Sequence, residues 1–89
     1  MRIQKAFVLI QVDAGHAKKV ADKLMQFDEV REVHIIAGEW DLLLVIEAER
    51  DVVAPNDEMV LQVVLDKIDK VSHVRRSNTI IPSFSKFKA

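Results

Sequence analysis

The sequence contains no cysteine, which removes disulfides, thiolate nucleophiles and cysteine-ligated metal sites. It also lacks a long apolar run. The longest, residues 6–10 and 42–46, fall far short of the roughly 20 residues that span a bilayer. Met1-Arg2-Ile3-Gln4-Lys5 leads straight into an apolar alternation, so no signal peptide is read there. A cytoplasmic protein without membrane partners is expected. Charge of one sign is missing too: 13 Lys and Arg stand against 14 Asp and Glu, a formal net charge of −1. Nucleic-acid affinity rests largely on counterion release, which so balanced a chain supplies weakly. Arg75-Arg76 is too small a patch to change this, and no direct nucleic-acid binding is expected.

Catalytic signatures are absent as well. No nucleophile–base motif, glycine-rich phosphate loop or paired-carboxylate motif occurs. Asp28-Glu29 and Asp57-Glu58 read as helix-end or loop charges. His16, His34 and His73 fall in separate elements with no close ligand spacing, so neither a metal nor a cofactor is expected.

What remains is a scaffold and one conspicuous turn. The chain has 89 residues, of which 49% are hydrophobic. A single domain over residues 1–89 buries only roughly 60–65% of the surface its unfolded form exposes. That apolar fraction is more than one small core readily hides, so a partner subunit is expected to cover the excess.

Residues 5–13 read as a strand in which Ala6, Val8, Ile10 and Val12 alternate with Phe7, Leu9 and Gln11. Both sets are largely apolar, so both faces should be buried. Gly15 breaks the strand. Over residues 16–27, Val20, Ala21, Leu24 and Phe27 recur at helical spacing, with Lys18, Lys19, Asp22 and Lys23 outside. Residues 30–37 and 40–48 form a second and a third strand. Gly38-Glu39 between them suits a two-residue hairpin, because glycine tolerates the positive φ such turns need. Residues 51–57 are a loop containing Pro55, and Asn56 or Asp57 can cap the next helix. Residues 59–68 form that helix, with Val60, Leu61, Val64, Leu65 and Ile68 inward. Residues 71–82 are the last strand, and residues 83–89 a short basic tail.

The two halves echo each other. Phe27-Asp28-Glu29-Val30-Arg31-Glu32-Val33-His34 matches Ile68-Asp69-Lys70-Val71-Ser72-His73-Val74-Arg75. Helix positions Val20, Leu24 and Phe27 recur at the same displacement as Leu61, Leu65 and Ile68. The strands ahead are displaced by a shorter interval, so the second crossover is the longer one. Two such units predict an α+β, ferredoxin-like β-α-β-β-α-β sandwich with a four-stranded antiparallel sheet and two helices on one face. The opposite face would carry apolar residues from two strands. Pairing two sheets face to face, as in a dimeric α/β barrel, would bury it at roughly 25 cal/mol per Å². An obligate homodimer is expected.

Val30-x-x-Val33 followed by Gly38-Glu39-Trp40-Asp41-Leu42-Leu43-Leu44 resembles the ligand-binding (RAM) domain of the Lrp/AsnC, or feast/famine, transcriptional regulators. Ala6-Phe7-Val8-Leu9-Ile10, with Val12 and Gly15, is similar to that family's first strand, and Ser77-x-Thr79-x-Ile81 to its last. The resemblance spans residues 5–82, and the Gly-x-aromatic-Asp turn is its most specific part. Full-length members carry an N-terminal helix-turn-helix domain for which this chain has no room, so the stand-alone form is expected. The resemblance implies a role in transcriptional regulation, a small effector, typically an amino acid, and a homodimer that grows into a larger ring. Co-assembly with a helix-turn-helix-bearing relative is also implied, whereas DNA binding is not carried over.

The residue types at the turn suit an amino-acid effector. A zwitterion needs an acceptor for its ammonium, donors for its carboxylate and apolar cover for its side chain. Asp41 can accept from the ammonium, amides at Gly38 can approach a carboxylate closely, Trp40 can wall the pocket, and Ser77 or Thr79 can add hydroxyl contacts. Each has a plainer reading. Gly38 serves the turn, Trp40 packs at a subunit interface, Asp41 bonds nearby amides, and Ser77 and Thr79 are edge-strand residues. A non-enzymatic module is the leading expectation. The alternative is a dimeric ferredoxin-like enzyme resembling the small monooxygenases and isomerases, although fold alone does not decide function.

Overall fold

The computed structural model describes residues 2–50, 57–86 and 88. Its elements run β1 (Arg2–Val12), α1 (Ala17–Leu24), β2 (Val30–Ile35), β3 (Leu42–Arg50), α2 (Asp57–Asp69) and β4 (Val74–Ile80). One four-stranded sheet has the order β2-β3-β1-β4, and every neighbouring pair is antiparallel. This is the predicted β-α-β-β-α-β topology. The expected loop over residues 51–57 lies, apart from Asp57, outside the described residues. No helix among the described residues is long and apolar enough to cross a membrane.

Strand alternation decides which residues each face receives. Ala6, Val8, Ile10 and Val12 point to the helices and are buried, together with Leu42, Leu44 and Ile46 of β3 and Val30 of β2. Val20 and Leu24 of α1 and Val64 and Ile68 of α2 close this core. The helices contribute one stripe each because their apolar residues recur at three- and four-residue spacing. Of the other expected inward residues, Ala21, Phe27 and Leu65 are partly buried against the core. The side chains of Val60 and Leu61 lie outside the described residues.

The second alternating set faces away from the helices. Phe7 and Leu9 of β1 face the same way as their cross-strand partners Val45 and Leu43 of β3 and Ile80 and Asn78 of β4. An apolar strip therefore runs across the open face, and Ile80 is half exposed there. Charged groups flank it: Glu47 meets Lys5 at 4.0 Å and Arg31 at 3.4 Å.

The internal echo is visible in the backbone. Val30 N–H donates to the Phe27 carbonyl, and Val71 N–H to the Ile68 carbonyl, both at 3.1 Å. The halves then diverge. β2 begins at Val30, whereas a further turn, with Val74 N–H donating to Val71 at 3.2 Å, delays β4 to Val74. The expected start of the last strand at residue 71 is corrected accordingly. His73 in that turn has φ +73°, a conformation that no strand residue adopts.

Candidate functional site

The connection between β2 and β3 is longer than the two-residue hairpin expected. β2 ends at Ile35 and β3 starts at Leu42, so residues 36–41 leave the ladder. Ile36 N–H donates to the Asp41 carbonyl at 2.9 Å and closes the loop. Asp41 then joins this loop to β1. Its N–H donates to the Ile10 carbonyl at 2.9 Å, and its Oδ2 accepts from Val12 N–H at 2.8 Å. The β1–β3 ladder has ended at the Ile10–Leu42 pair, and the β1–β4 register shifts between Gln11 and Val12. The Asp41 carboxylate thus serves an amide at an irregular strand end, which is the plainer of its two readings for at least one oxygen.

Gly38 has φ +141°, and a Cβ built there would meet nothing within 4 Å. Its role is therefore conformational, since side-chain-bearing residues disfavour that φ. Trp40 is half-buried, and the Arg76 guanidinium carbon lies 4.8 Å from its ring centroid, within cation–π range. Arg76 Nη2 also reaches Glu39 Oε1 at 3.5 Å, while Gln11 Nε2 donates to the Glu39 carbonyl at 2.8 Å. Gln11 and Arg76 are cross-strand partners, so the β1–β4 register brings them to the loop on the open face.

Ser77 and Thr79 are placed elsewhere. They pair with Ile10 and Val8, both buried beneath the helices, and so belong to the helix-covered face. Ser77 Oγ donates to Asp69 Oδ1 at 2.7 Å, tying β4 to the end of α2. The structure brings Gly38, Trp40 and Asp41 together and leaves Ser77 and Thr79 apart from them. Arg76, Glu39 and Gln11 take their place around Trp40. The available signal was parity: residues 76, 78 and 80 face opposite to 77 and 79, but only the register says which set faces the turn.

The histidines hold a second difference. His16 and His73 stack with centroids 3.7 Å apart and planes 13° from parallel, although they lie in separate segments. His34 pairs instead with Glu32 at 3.0 Å. Among the described residues, no group of three or more His, Cys, Asp or Glu is arranged to hold a metal ion.

An α+β sandwich of this topology, with a polar, tryptophan-bearing loop at one end of an open sheet face, defines a small ferredoxin-like binding domain. The model for the family described as Lrp/AsnC ligand binding domain matches residues 5–84, and the chain belongs to that family. It is 38% identical over 79 residues to an uncharacterized HTH-type transcriptional regulator of Pyrococcus abyssi, covering 85% of this chain and 49% of that protein. The chain thus spans about half the length of the curated relatives it matches. Among solved structures, a hypothetical protein of Pyrococcus horikoshii superposes with TM-score 0.71 at 27% identity, covering 94% of this chain and 93% of that one. A feast or famine regulatory protein from M. tuberculosis, complexed with L-methionine, shares the fold with TM-score 0.76 at 21% identity, covering 96% of this chain and 53% of that one.

Proposed function

We propose that this chain is a small-effector-binding and oligomerisation module of transcriptional regulation, with an amino acid as effector and the 36–41 loop plus Arg76 as its recognition surface. The observation that carries this reading is the family match across residues 5–84. The M. tuberculosis regulator of the same fold, complexed with L-methionine, supports the ligand class. Relatives named as transcriptional regulators favour regulation over an enzymatic role.

The loop geometry suits a zwitterion. The Arg76 guanidinium offers a planar fork of donors to a carboxylate. Asp41 has one oxygen committed to Val12, so the Glu39 carboxylate, largely exposed, is the better acceptor for an ammonium. Trp40, whose ring lies under the Arg76 guanidinium, supplies an apolar wall. Exposed ion pairs contribute only about 0–1 kcal/mol, so an amino acid that inserts between Arg76 and Glu39 replaces a weak contact with two.

The open sheet face is the surface for a second copy of this chain. Its centre is apolar, with Phe7, Leu9, Leu43 and Ile80, and its flank is charged, with Lys5, Arg31 and Glu47, the arrangement that protein interfaces favour. Face-to-face pairing gives the dimeric α/β barrel and sets the Trp40 loop at its edge, where dimers can meet in a ring. Effector binding there shifts the assembly by linkage. Promoter contact then falls to a helix-turn-helix segment outside these 89 residues, and co-assembly in the cytoplasm with a relative that carries one is one way to supply it.

The test is a thermal-shift panel of the twenty amino acids, with oligomer size measured by light scattering on the same samples. A rise in Tm and a change in mass with one or a few amino acids is expected. An unchanged Tm and mass with all twenty at millimolar concentration overturns the proposal. Arg76→Gln should abolish the response while lowering the ligand-free Tm by no more than roughly 4–8 °C, the share of its exposed contacts with Trp40 and Glu39.

A further inference from the structure

A cleft of about 290 Å³ lies between α1 and the turn that precedes β4, lined by Lys19, Val20, Lys23, Val71, Ser72 and His73. It sits on the helix side of the sheet, away from the open face that carries Trp40 and Arg76. Its floor is apolar: Val20 is buried and Val71 packs against the core. Its polar lining is entirely of groups that can donate hydrogen bonds, and no carboxylate is among them.

These groups are also unspent. Lys19, Lys23 and the Ser72 hydroxyl make no hydrogen bond or ion pair among the described residues. The lysines stand four apart on one helix face, where like charges oppose helix formation. The first turn of α1 holds no acidic residue, so Lys19 also sits at the end of the helix that disfavours positive charge. Neither arrangement is explained by the stability of the helix itself.

His73 is held at the cleft in a constrained pose. Its φ of +73° costs a residue with a side chain about 1–2 kcal/mol. Three contacts keep it there: Asp13 N–H donates to its carbonyl at 2.9 Å, its Nδ1 meets Asp13 Oδ2 at 3.2 Å, and its ring stacks on His16. The Asp13 carboxylate is further engaged by Arg75 at 3.9 Å, so it does not neutralise the lysines. His16 beneath has a buried Nδ1 with no hydrogen-bond partner among the described residues. Strain that the surroundings maintain, beside unpaired like charges, is characteristic of a ligand site more than of a passive turn.

We infer that this cleft binds a phosphate group, free or as the head of a small phosphorylated metabolite. Two lysines, a serine and a histidine line the cleft from a helix and a turn, and donors on several sides suit a tetrahedral anion better than a planar carboxylate with two oxygens. The charge also matches: two lysines face a group of about −1.5 to −2 at neutral pH. The volume exceeds what a bare phosphate fills and leaves room over Val20 and Val71 for a short organic tail. This site is independent of the amino-acid reading of the loop.

The experiment is an amide NMR titration of the full chain with inorganic phosphate, O-phospho-L-serine and L-serine at matched ionic strength. Saturable shifts at Lys19, Lys23 and residues 71–73 are expected with the first two probes and not with L-serine. The double substitution Lys19→Ala/Lys23→Ala should weaken binding by at least about tenfold. Lys18→Ala, on the same helix but outside the cleft, should leave it unchanged. Both lysines are exposed, and their removal relieves repulsion, so the double variant should fold as the wild type does. Tighter binding of phosphoserine than phosphate assigns the site to a phosphorylated metabolite, and equal or weaker binding to free phosphate. Absence of saturable shifts, equal shifts with L-serine, shifts that survive the double substitution, or equal loss in Lys18→Ala would each overturn the inference.

Discussion

Asp41 separates a structural from a ligand-contacting role most cleanly, and Asp41→Ala is the sharpest perturbation of the loop. In the structure its Oδ2 accepts from Val12 N–H at 2.8 Å, a partly buried contact. Hydrogen bonds to a charged group contribute about 1.5–3 kcal/mol, and an orphaned buried donor costs about 1–3 kcal/mol. The contact is only partly buried, so about 2 kcal/mol is the expected loss. For a domain of this size each kcal/mol moves Tm by roughly 4–8 °C, which places the Asp41→Ala melt roughly 8–16 °C below wild type. Asp41→Asn keeps an acceptor oxygen but not the charge and should lose about half as much. Far-UV circular dichroism in urea is the appropriate assay, because Trp40 adjoins the substitution and its fluorescence would report local change. Protomer concentration must be matched, since self-association adds to apparent stability. If Asp41→Ala lies within about 0.5 kcal/mol of wild type yet loses its effector response, the carboxylate is a ligand contact and the structural account is refuted.

Other expected outcomes probe the remaining layers. Leu9→Glu on the open face should reduce the light-scattering mass to that of a smaller species while circular dichroism stays native; an unchanged mass would exclude this face as the interface. Leu44→Ala, fully buried under the helices, should cost about 2–5 kcal/mol in urea unfolding, far more than the same change at the half-exposed Ile80. Gly38→Ala should destabilise by about 1–3 kcal/mol through backbone conformation alone, since a Cβ there meets nothing within 4 Å; a smaller loss would mean the loop relaxes to another φ. Ser77→Ala should cost only about 1 kcal/mol, below the usual range for a bond to a carboxylate because this one is exposed to solvent, and leave the amino-acid response intact, because its hydroxyl serves Asp69.

Much of this architecture was legible in the residues themselves. Periodicity of two along residues 5–13 and of three to four along the helices is a local property, so it reports element type and burial without knowledge of the partner. The repeated Phe27–Val30 and Ile68–Val71 segments carried the two-unit topology, and the same 3.1 Å turns close both. The Gly38-Glu39-Trp40-Asp41 motif identified the loop. Its extent was not legible: the capacity of Gly38 for positive φ fits a two-residue turn as well as the observed six-residue connection. Only the bonds from Asp41 to Ile10 and Val12 on β1 select the longer form.

The same limit governs the site residues. Composition and alternation determined that β4 has a polar set and a mixed set, but not which of them shares a face with Trp40. That depends on register, a relation between strands distant in sequence, and a one-residue change of parity exchanges the faces completely. Pairing of Gln11 with Arg76 therefore put Arg76 over Trp40 and sent Ser77 to Asp69. The His16–His73 stack arises in the same way, from chain segments that meet only when β4 lies beside β1. By itself the sequence determined the fold, the core and the loop, because those follow from local periodicity and apolar area. Tertiary structure alone decided which side chains gather at each surface, because that is set by contacts between strands rather than along them.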